Sequence, residues 1–401
     1  MPNITCYHTP HEADMSPKNL RIAFGTTVLN QGLTQGGLDG IGHYSNTLRH
    51  RLMNLDGIQL YGFGYFPLGE DRSHQFSTWE VNRFGPQALL SLFSGASFRG
   101  FDKLLHQGID LVHATDHLVP RLKNTPVVAT VMDVIPLSNP EWVEYPLKNL
   151  KNYAWKKSLG WADRIITISE FSKAQIIEHV NIDDKKIDVV PLGVGADWFE
   201  NIAENVRHEV NARYSIPHRY LLFVGTLQPR KNIRRLIEAH RLLSDDLRKE
   251  YPLLVVGRYG WGDPSLPSLL NDPNDQHVRW LEYLPSQDLK AVVTGASLAI
   301  FPSLCEGFGL PVLEAFAAGT PVVASNSTSI PEVAGDAAFL IDPESTEAIK
   351  SGIERMLSSR ELQTSFIERG RQRATEFTWE RTAELTVASY QRLLSNGYDH
   401  C

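Results

Sequence analysis

The chain reads as an α/β protein of two domains, each built on a parallel sheet. Three observations predict this. Its 401 residues exceed what one core usually serves, so two domains are expected. Short apolar runs alternate with amphipathic stretches along the whole length, the pattern of βαβ units and parallel sheets. Two such sets follow one another, each the size of a Rossmann-like domain.

In the first half, residues 20–29, 111–114, 127–134, 164–168 and 187–191 read as strands. In the second half, 220–225, 253–257, 278–281, 298–301, 321–324 and 338–341 do so. Helical patterns lie between them, at 232–243, 286–294 and 347–358. Gly, Asp and Asn interrupt the pattern at 193–213, where the linker is expected. The first domain then takes residues 1–200 and the second 201–377. A last helical segment, 378–401, places Trp379, Ala383, Val387 and Leu393 on one face.

Composition narrows the function. The hydrophobic fraction is 42% and the charged fraction 21%, ordinary for a soluble globular chain. A net charge of −7 gives no support to nucleic-acid binding, which needs a basic face. Cys6, Cys305 and Cys401 are too few and too scattered for a disulfide framework or a zinc site. The first nineteen residues lack an apolar signal core, and no apolar run approaches the roughly 20 residues of a membrane span. A cytoplasmic location is the expectation.

The segment 302–335 carries the strongest signal. After the 298–301 strand comes Pro-Ser-Leu-Cys-Glu-Gly-Phe-Gly-Leu-Pro, then a helix. Pro311 opens that helix with φ pre-set and no N–H to lose. Glu306 stays in the loop, and Glu314 falls one turn into the helix. A helix start supplies free N–H groups and partial positive charge, which suit a phosphate. Phosphate beside two hydroxyl-binding carboxylates suits a sugar nucleotide.

With Gly-Phe-Gly-Leu-Pro between the two glutamates and Ala-Gly-Thr-Pro-Val-Val after them, the segment resembles the signature of retaining nucleotide-sugar glycosyltransferases of family 4, which have the GT-B fold. The resemblance covers nearly the whole chain, most firmly from Val189 onward. It implies two Rossmann-like domains facing a central cleft, with the C-terminal helix crossing back to the first domain. It also implies a hexose moving from a nucleotide diphosphate sugar to a saccharide or lipid-linked acceptor. Gly-Thr-Leu-Gln-Pro-Arg-Lys-Asn at 225–232 resembles mannosyltransferases of polysaccharide assembly, which favours GDP-mannose. A UDP-sugar donor is the alternative. An epimerase of similar fold and a non-catalytic sugar-nucleotide binding protein are the others.

The same motifs supply the candidate site residues. Arg230 and Lys231 come just after the first strand of the second half, where open α/β sheets bind ligands. Two cations there can hold a diphosphate as its charge grows. In the family a Lys at the place of Lys231 contacts the diphosphate; Thr226 stands where many members carry a second cation. Asn232 can cap the helix that begins there. The resemblance gives Glu314 the ribose hydroxyls and Glu306 the donor sugar, with Phe308, Gly309 and Leu310 in the loop between them. Gly40 and Gly42, in Gly36-Gly37-Leu38-Asp39-Gly40-Ile41-Gly42, resemble the glycine loop that faces the diphosphate. Met132 stands where the family commonly has a sugar-binding His, so Asp133 and His117 are the candidates for that contact. Tyr283 and Leu284, in the loop after the 278–281 strand, are expected near the base. With the cations serving the leaving group, no metal and no cofactor is expected.

Two stretches suggest a surface role. Residues 84–105 and 148–161 mix Leu, Phe, Tyr and Trp with Arg and Lys, as stretches lying on a membrane do. Peripheral membrane contact is expected if the acceptor is lipid-linked.

Overall fold

The computed structural model describes residues 19–35, 38, 40–66, 76–101 and 106–395. Cys6, Cys401, Gly36, Gly37 and Asp39 lie outside them, as do 102–105 of the first basic stretch.

The first half forms seven strands: β1 (Leu20–Gly25), β2 (Ile58–Phe66), β3 (Trp79–Asn82), β4 (Leu111–Ala114), β5 (Val127–Thr130), β6 (Arg164–Thr167) and β7 (Ile187–Val189). They make one parallel sheet in the order β3-β2-β1-β4-β5-β6-β7. The second half forms β8 (Leu221–Val224), β9 (Leu253–Val256), β10 (Val278–Leu281), β11 (Leu298–Phe301), β12 (Val322–Ser325) and β13 (Phe339–Ile341). Their order is β10-β9-β8-β11-β12-β13, also parallel throughout. Every residue of β4, β5, β6, β9, β11 and β12 is buried. Helices cover both faces of such a sheet, which is why these strands are continuous apolar runs in the sequence.

Four elements depart from the sequence reading; in the simplest, the run 127–134, the strand β5 ends at Thr130. The run 20–29 is not one strand: β1 stops at Gly25, and a helix starts at Thr27. Thr26 turns the chain there, its hydroxyl donating to Phe63 O at 2.9 Å. Strands β2 and β3 carry too little signal. In β2 the run is broken by Gly62 and Gly64. A Cβ at Gly62 would lie 2.0 Å from Phe76 O, so the neighbouring chain demands the glycine that hides the strand.

Each sheet reverses strand order once, between β1 and β4 in the first and between β8 and β11 in the second. Open α/β sheets bind ligands outside the carboxyl ends of strands at these points. The helix Trp379–Ser395 returns to the first domain. Tyr390 Oη meets buried His113 Nδ1 at 2.6 Å, and Thr382 Oγ1 donates to Pro191 O at 2.8 Å. His113 Nε2 also meets Thr130 Oγ1 at 2.8 Å, and burial drives its pKa down to about 3, so the ring is a neutral post. Among the described residues no helix is long and apolar enough to cross a membrane.

Candidate functional site

The segments after β8 and β11 flank the second switch point. After β8, Gly225 adopts φ +147°, a backbone that favours glycine, and the chain enters a tight turn at Pro229–Lys231. The turn ends at Asn232, itself left-handed at φ 60°. Asn232 does not cap the following helix, as the sequence suggested. Its amide donates to Pro302 O at 3.0 Å and to Pro343 O at 2.7 Å. It ties the β8 turn to the loop after β11, because the left-handed backbone turns its side chain away from the helix N–H groups.

That tie brings three charges together. Lys231 Nζ donates to Glu306 Oε1 at 2.5 Å, and Arg230 Nη1 donates to Glu306 Oε2 at 2.5 Å. Ser303 Oγ adds a bond to Oε1 at 2.7 Å, and Arg230 Nη1 also reaches Cys305 O at 3.0 Å. Glu306 and Lys231 are each only 8% exposed. Burial alone would raise the Glu306 carboxyl; the two cations overturn it and hold it down at about 2. Burial lowers Lys231, with the Arg230 charge beside it acting the same way. Burial works against the Arg230 charge too, but Glu306 and Asp133 outweigh it and raise its pKa.

Glu314 is in a different state. It lies on the Leu310–Ala318 helix, half-buried. Burial pushes its carboxyl up to about 7. Lys290 opposes that shift, but its ammonium is paired with Asp197. One glutamate of the pair is therefore held ionised and neutralised, and the other waits near its titration point.

The loop between them is shared by both domains. Gly307 O accepts from Ser169 Oγ at 2.7 Å and from Ser172 Oγ at 3.1 Å. A Cβ at Gly307 would meet Asp133 Cβ at 3.2 Å and Met132 O at 3.3 Å. Asp133 thus abuts the Glu306 loop across the cleft, while its Oδ1 also accepts from Ile135 N–H at 3.2 Å. Gly309 starts the Leu310–Ala318 helix at φ +111°, with Ile330 Cδ1 only 2.7 Å from where a Cβ would be. Gly40 and Leu310 face a common cavity of about 240 Å³ with His43, Tyr44, Leu192 and Trp379. Gly42 is buried inside the Gly40–Met53 helix.

The remaining candidates sit elsewhere. His117 does not join the cleft beside Asp133; its ring stands edge-on to Trp155, centroids 4.9 Å apart, in a separate cavity of the first domain. The reason is local: the chain after β4 turns at Asp116, whose Oδ1 caps Leu118 N–H at 2.9 Å. Phe308 turns its ring onto Phe377, 5.9 Å between centroids, leaving only backbone for a ligand. Tyr283 is 61% exposed with Arg258 over its ring at 5.0 Å, and Leu284 is a core side chain. Both come after β10, two strands from the switch point.

Sequence reasoning missed the second layer. Thr328, at φ 59°, accepts from Glu306 N–H at 3.2 Å. Ser329 Oγ donates to Glu306 O and Phe308 O, both at 2.9 Å. Glu332 accepts from Glu170 N–H at 3.0 Å, at the start of the Glu170–Val180 helix. The one available signal was the polar string 325–329 directly after a buried strand.

Comparison with known proteins decides the family. The profile described as Glycosyltransferase Family 4 matches residues 38–198, and that described as Glycosyl transferases group 1 matches residues 212–373. The chain is 36% identical over 276 residues to the O-antigen chain mannosyltransferase B of Escherichia coli, covering 66% of this chain and 70% of that one. The chain belongs to glycosyltransferase family 4. This family 4 chain is also 29% identical over 282 residues to the serotype-specific mannosyltransferase WbdA of Escherichia coli. That match takes in 68% of this chain and 34% of the other, so the chain spans about a third of WbdA. Among solved structures, sucrose-phosphate synthase from Thermosynechococcus elongatus superposes with a TM-score of 0.70 at 20% identity. It covers 94% of this chain and 100% of that one, which establishes the GT-B fold. The protein is a sugar-transferring enzyme of that fold.

Proposed function

We propose that this glycosyltransferase moves mannose from GDP-mannose to a saccharide or lipid-linked acceptor, with retention of configuration and without a metal or other cofactor. The observation that carries the reading is the Arg230–Lys231–Glu306 cluster at the switch point of the second sheet, with Asp133 of the first domain against its loop. Mannose is supported by the names of the two relatives and by the 225–232 segment. Retention is supported by the resemblance in the Glu306–Glu314 segment.

In this reading the donor diphosphate lies on Arg230 and Lys231. Each cation keeps N–H donors beyond those spent on Glu306, because guanidinium carries five and ammonium three. As the bond to the sugar breaks, negative charge grows on the diphosphate, and these fixed donors stabilise it. Glu306 holds the two cations in register and turns its remaining acceptor capacity toward the donor sugar. The start of the Leu310–Ala318 helix adds N–H donors, and Glu314 accepts from the ribose hydroxyls. Asp133 stands where the transferred sugar meets the first domain. The Ser169 and Ser172 bonds to Gly307 close the cleft and exclude water that would hydrolyse the donor.

The experiment is donor turnover measured as nucleotide release, with GDP-mannose, UDP-glucose and UDP-N-acetylglucosamine, each with and without saccharide acceptors. The anomeric configuration of the product is read by NMR. Acceptor-dependent GDP release with an α-linked product is expected. Turnover that ignores the acceptor and returns an altered sugar nucleotide would mark an epimerase. Tight binding without turnover would mark a binding protein.

A further inference from the structure

Away from the Glu306 cluster, the first domain holds a cavity of about 970 Å³ between the Phe84–Ser94 and Lys148–Leu159 helices. That is the size of a small-molecule site. His117 and Pro136 belong to its wall. They lie just past the carboxyl ends of β4 and β5, and Pro136 comes three residues after Asp133. The cavity therefore adjoins the acceptor side of the proposed cleft.

Its walls are apolar and open to solvent. Leu89 is 53% exposed, Phe93 85% and Leu150 57%. Contiguous exposure of this kind marks a binding surface, whereas scattered exposed residues do not. Its charges have one sign. Arg121, Lys151 and Lys157 line it, and among the described residues no Asp or Glu does, although the chain as a whole carries −7. Lys151 sits over the Tyr145 ring at 5.6 Å and Lys157 over the Tyr153 ring at 5.7 Å, so aromatic faces steady both ammonium groups at the rim. Among the described residues none of the three cations is ion-paired. Trp155 Nε1, in the same wall, is buried without a hydrogen-bond partner.

An apolar trough rimmed by unpaired cations suits an anionic amphiphile. A second copy of the chain would set cation against cation. A flat bilayer surface would not fill a concave cavity of this depth. Resting on the transferase reading, we propose that this groove seats the apolar chain of an acceptor bearing a phosphate or diphosphate next to that chain. Arg121, Lys151 and Lys157 hold the phosphate, and the saccharide end extends past Pro136 toward Asp133.

The test is calorimetric titration of farnesyl diphosphate below its aggregation concentration, with saturating GDP present to occupy Arg230 and Lys231. Farnesol and inorganic diphosphate are run beside it. Binding of farnesyl diphosphate that survives GDP is expected, at least tenfold tighter than either fragment. Leu89→Glu and Leu150→Glu, on opposite walls, and Lys151→Glu should each weaken it at least tenfold. Lys249→Glu, the same charge change at an exposed position of the second domain, should not. Equal affinity in the three groove variants, or displacement by GDP, would overturn the proposal. So would Leu89-dependent capture by phosphatidylglycerol vesicles with no farnesyl diphosphate binding, which would make this a membrane-facing surface. A dimer that Phe93→Glu dissociates would make it a self-interface. Failure of GDP itself to bind the wild-type protein would sink the donor-site reading instead, and the farnesyl diphosphate titrations of the groove variants would still be readable.

Discussion

Lys231→Ala separates two roles that the structure superimposes on one side chain. Lys231 neutralises buried Glu306, and in the proposed function it also holds the leaving diphosphate. Removing one partner of a buried ion pair costs about 3–5 kcal/mol when the other is left alone. Glu306 would not be left alone: Arg230 stays at 2.5 Å and Ser303 at 2.7 Å. The stability loss should therefore sit low, about 2–3 kcal/mol, or roughly 5–10 °C in Tm for a domain of this size. The catalytic loss is separate. One fixed donor to developing charge is worth on the order of 100-fold in kcat. Sucrose, an osmolyte excluded from the protein surface, should restore the Tm of Lys231→Ala without replacing the missing cation, which calorimetry checks. Nucleotide release under saturating donor should stay depressed by 100-fold or more. Recovery of kcat together with Tm would show that Lys231 acts only through folding. An unchanged kcat with raised KM in the variant would reduce it to ground-state binding. Either result refutes the leaving-group role.

Glu314 on a ribose diol predicts that GDP binds at least tenfold more tightly than its 2′-deoxy form, since an unpaired buried acceptor rejects the analogue; thermal shift measures the difference, and equal affinities would place Glu314 elsewhere. Its carboxyl, pushed up to about 7, also predicts a pH effect. Hydroxyl donors prefer the ionised form, so GDP affinity should rise about tenfold from pH 6 to pH 8, and Glu314→Gln should flatten that rise. The native state keeps this proton between the ordinary value of 4.5 and about 7 while the unfolded chain has lost it, so its contribution to stability falls as pH rises through that window. Activity should survive EDTA if, as proposed, the two cations serve the leaving group; complete loss restored by Mn²⁺ or Mg²⁺ would contradict this. Glu332→Gln weakens a charge at a helix N-terminus worth about 1 kcal/mol, so KM for the donor should rise about fivefold while kcat holds.

Local chemistry was legible wherever a short string carried its own constraint. Pro-Arg-Lys-Asn directly after an apolar run places two cations at a strand end, and Gly-Phe-Gly-Leu-Pro places one glutamate before a helix and one inside it. The buried strands were legible because a parallel sheet covered on both faces leaves uninterrupted apolar runs. Where tertiary demand overrode local pattern, the signal failed. Gly62 weakens β2 to admit Phe76 O, and Val28 and Leu29 look like strand yet lie in a helix begun by Thr26. Asn232 reads as a cap and instead links two loops 70 and 111 residues away. His117 has the chemistry for a sugar contact, but the Asp116 turn sends it to the apolar groove.

No spacing in the sequence announces that the Glu306 loop is built by both domains. Ser169 and Ser172 come 138 and 135 residues before the carbonyl they hold. Their hydroxyls, the Glu332 bond to Glu170 N–H and the approach of Asp133 to Gly307 all cross the cleft within one stretch of chain. Ser329 and Thr328 fix the same loop from within the second domain. If the domains part, the loop keeps its second-domain anchors and loses those from the first. Glu306 is the counter-ion of Arg230 and Lys231, so any shift of its loop moves the two charges that the proposed function sets against the diphosphate. In the proposed function, closure and cation placement are then one event: the contacts that would shut out water also set the two cations. This gives a reason for small hydroxyls at Ser169 and Ser172 to sit wholly buried against a glycine carbonyl.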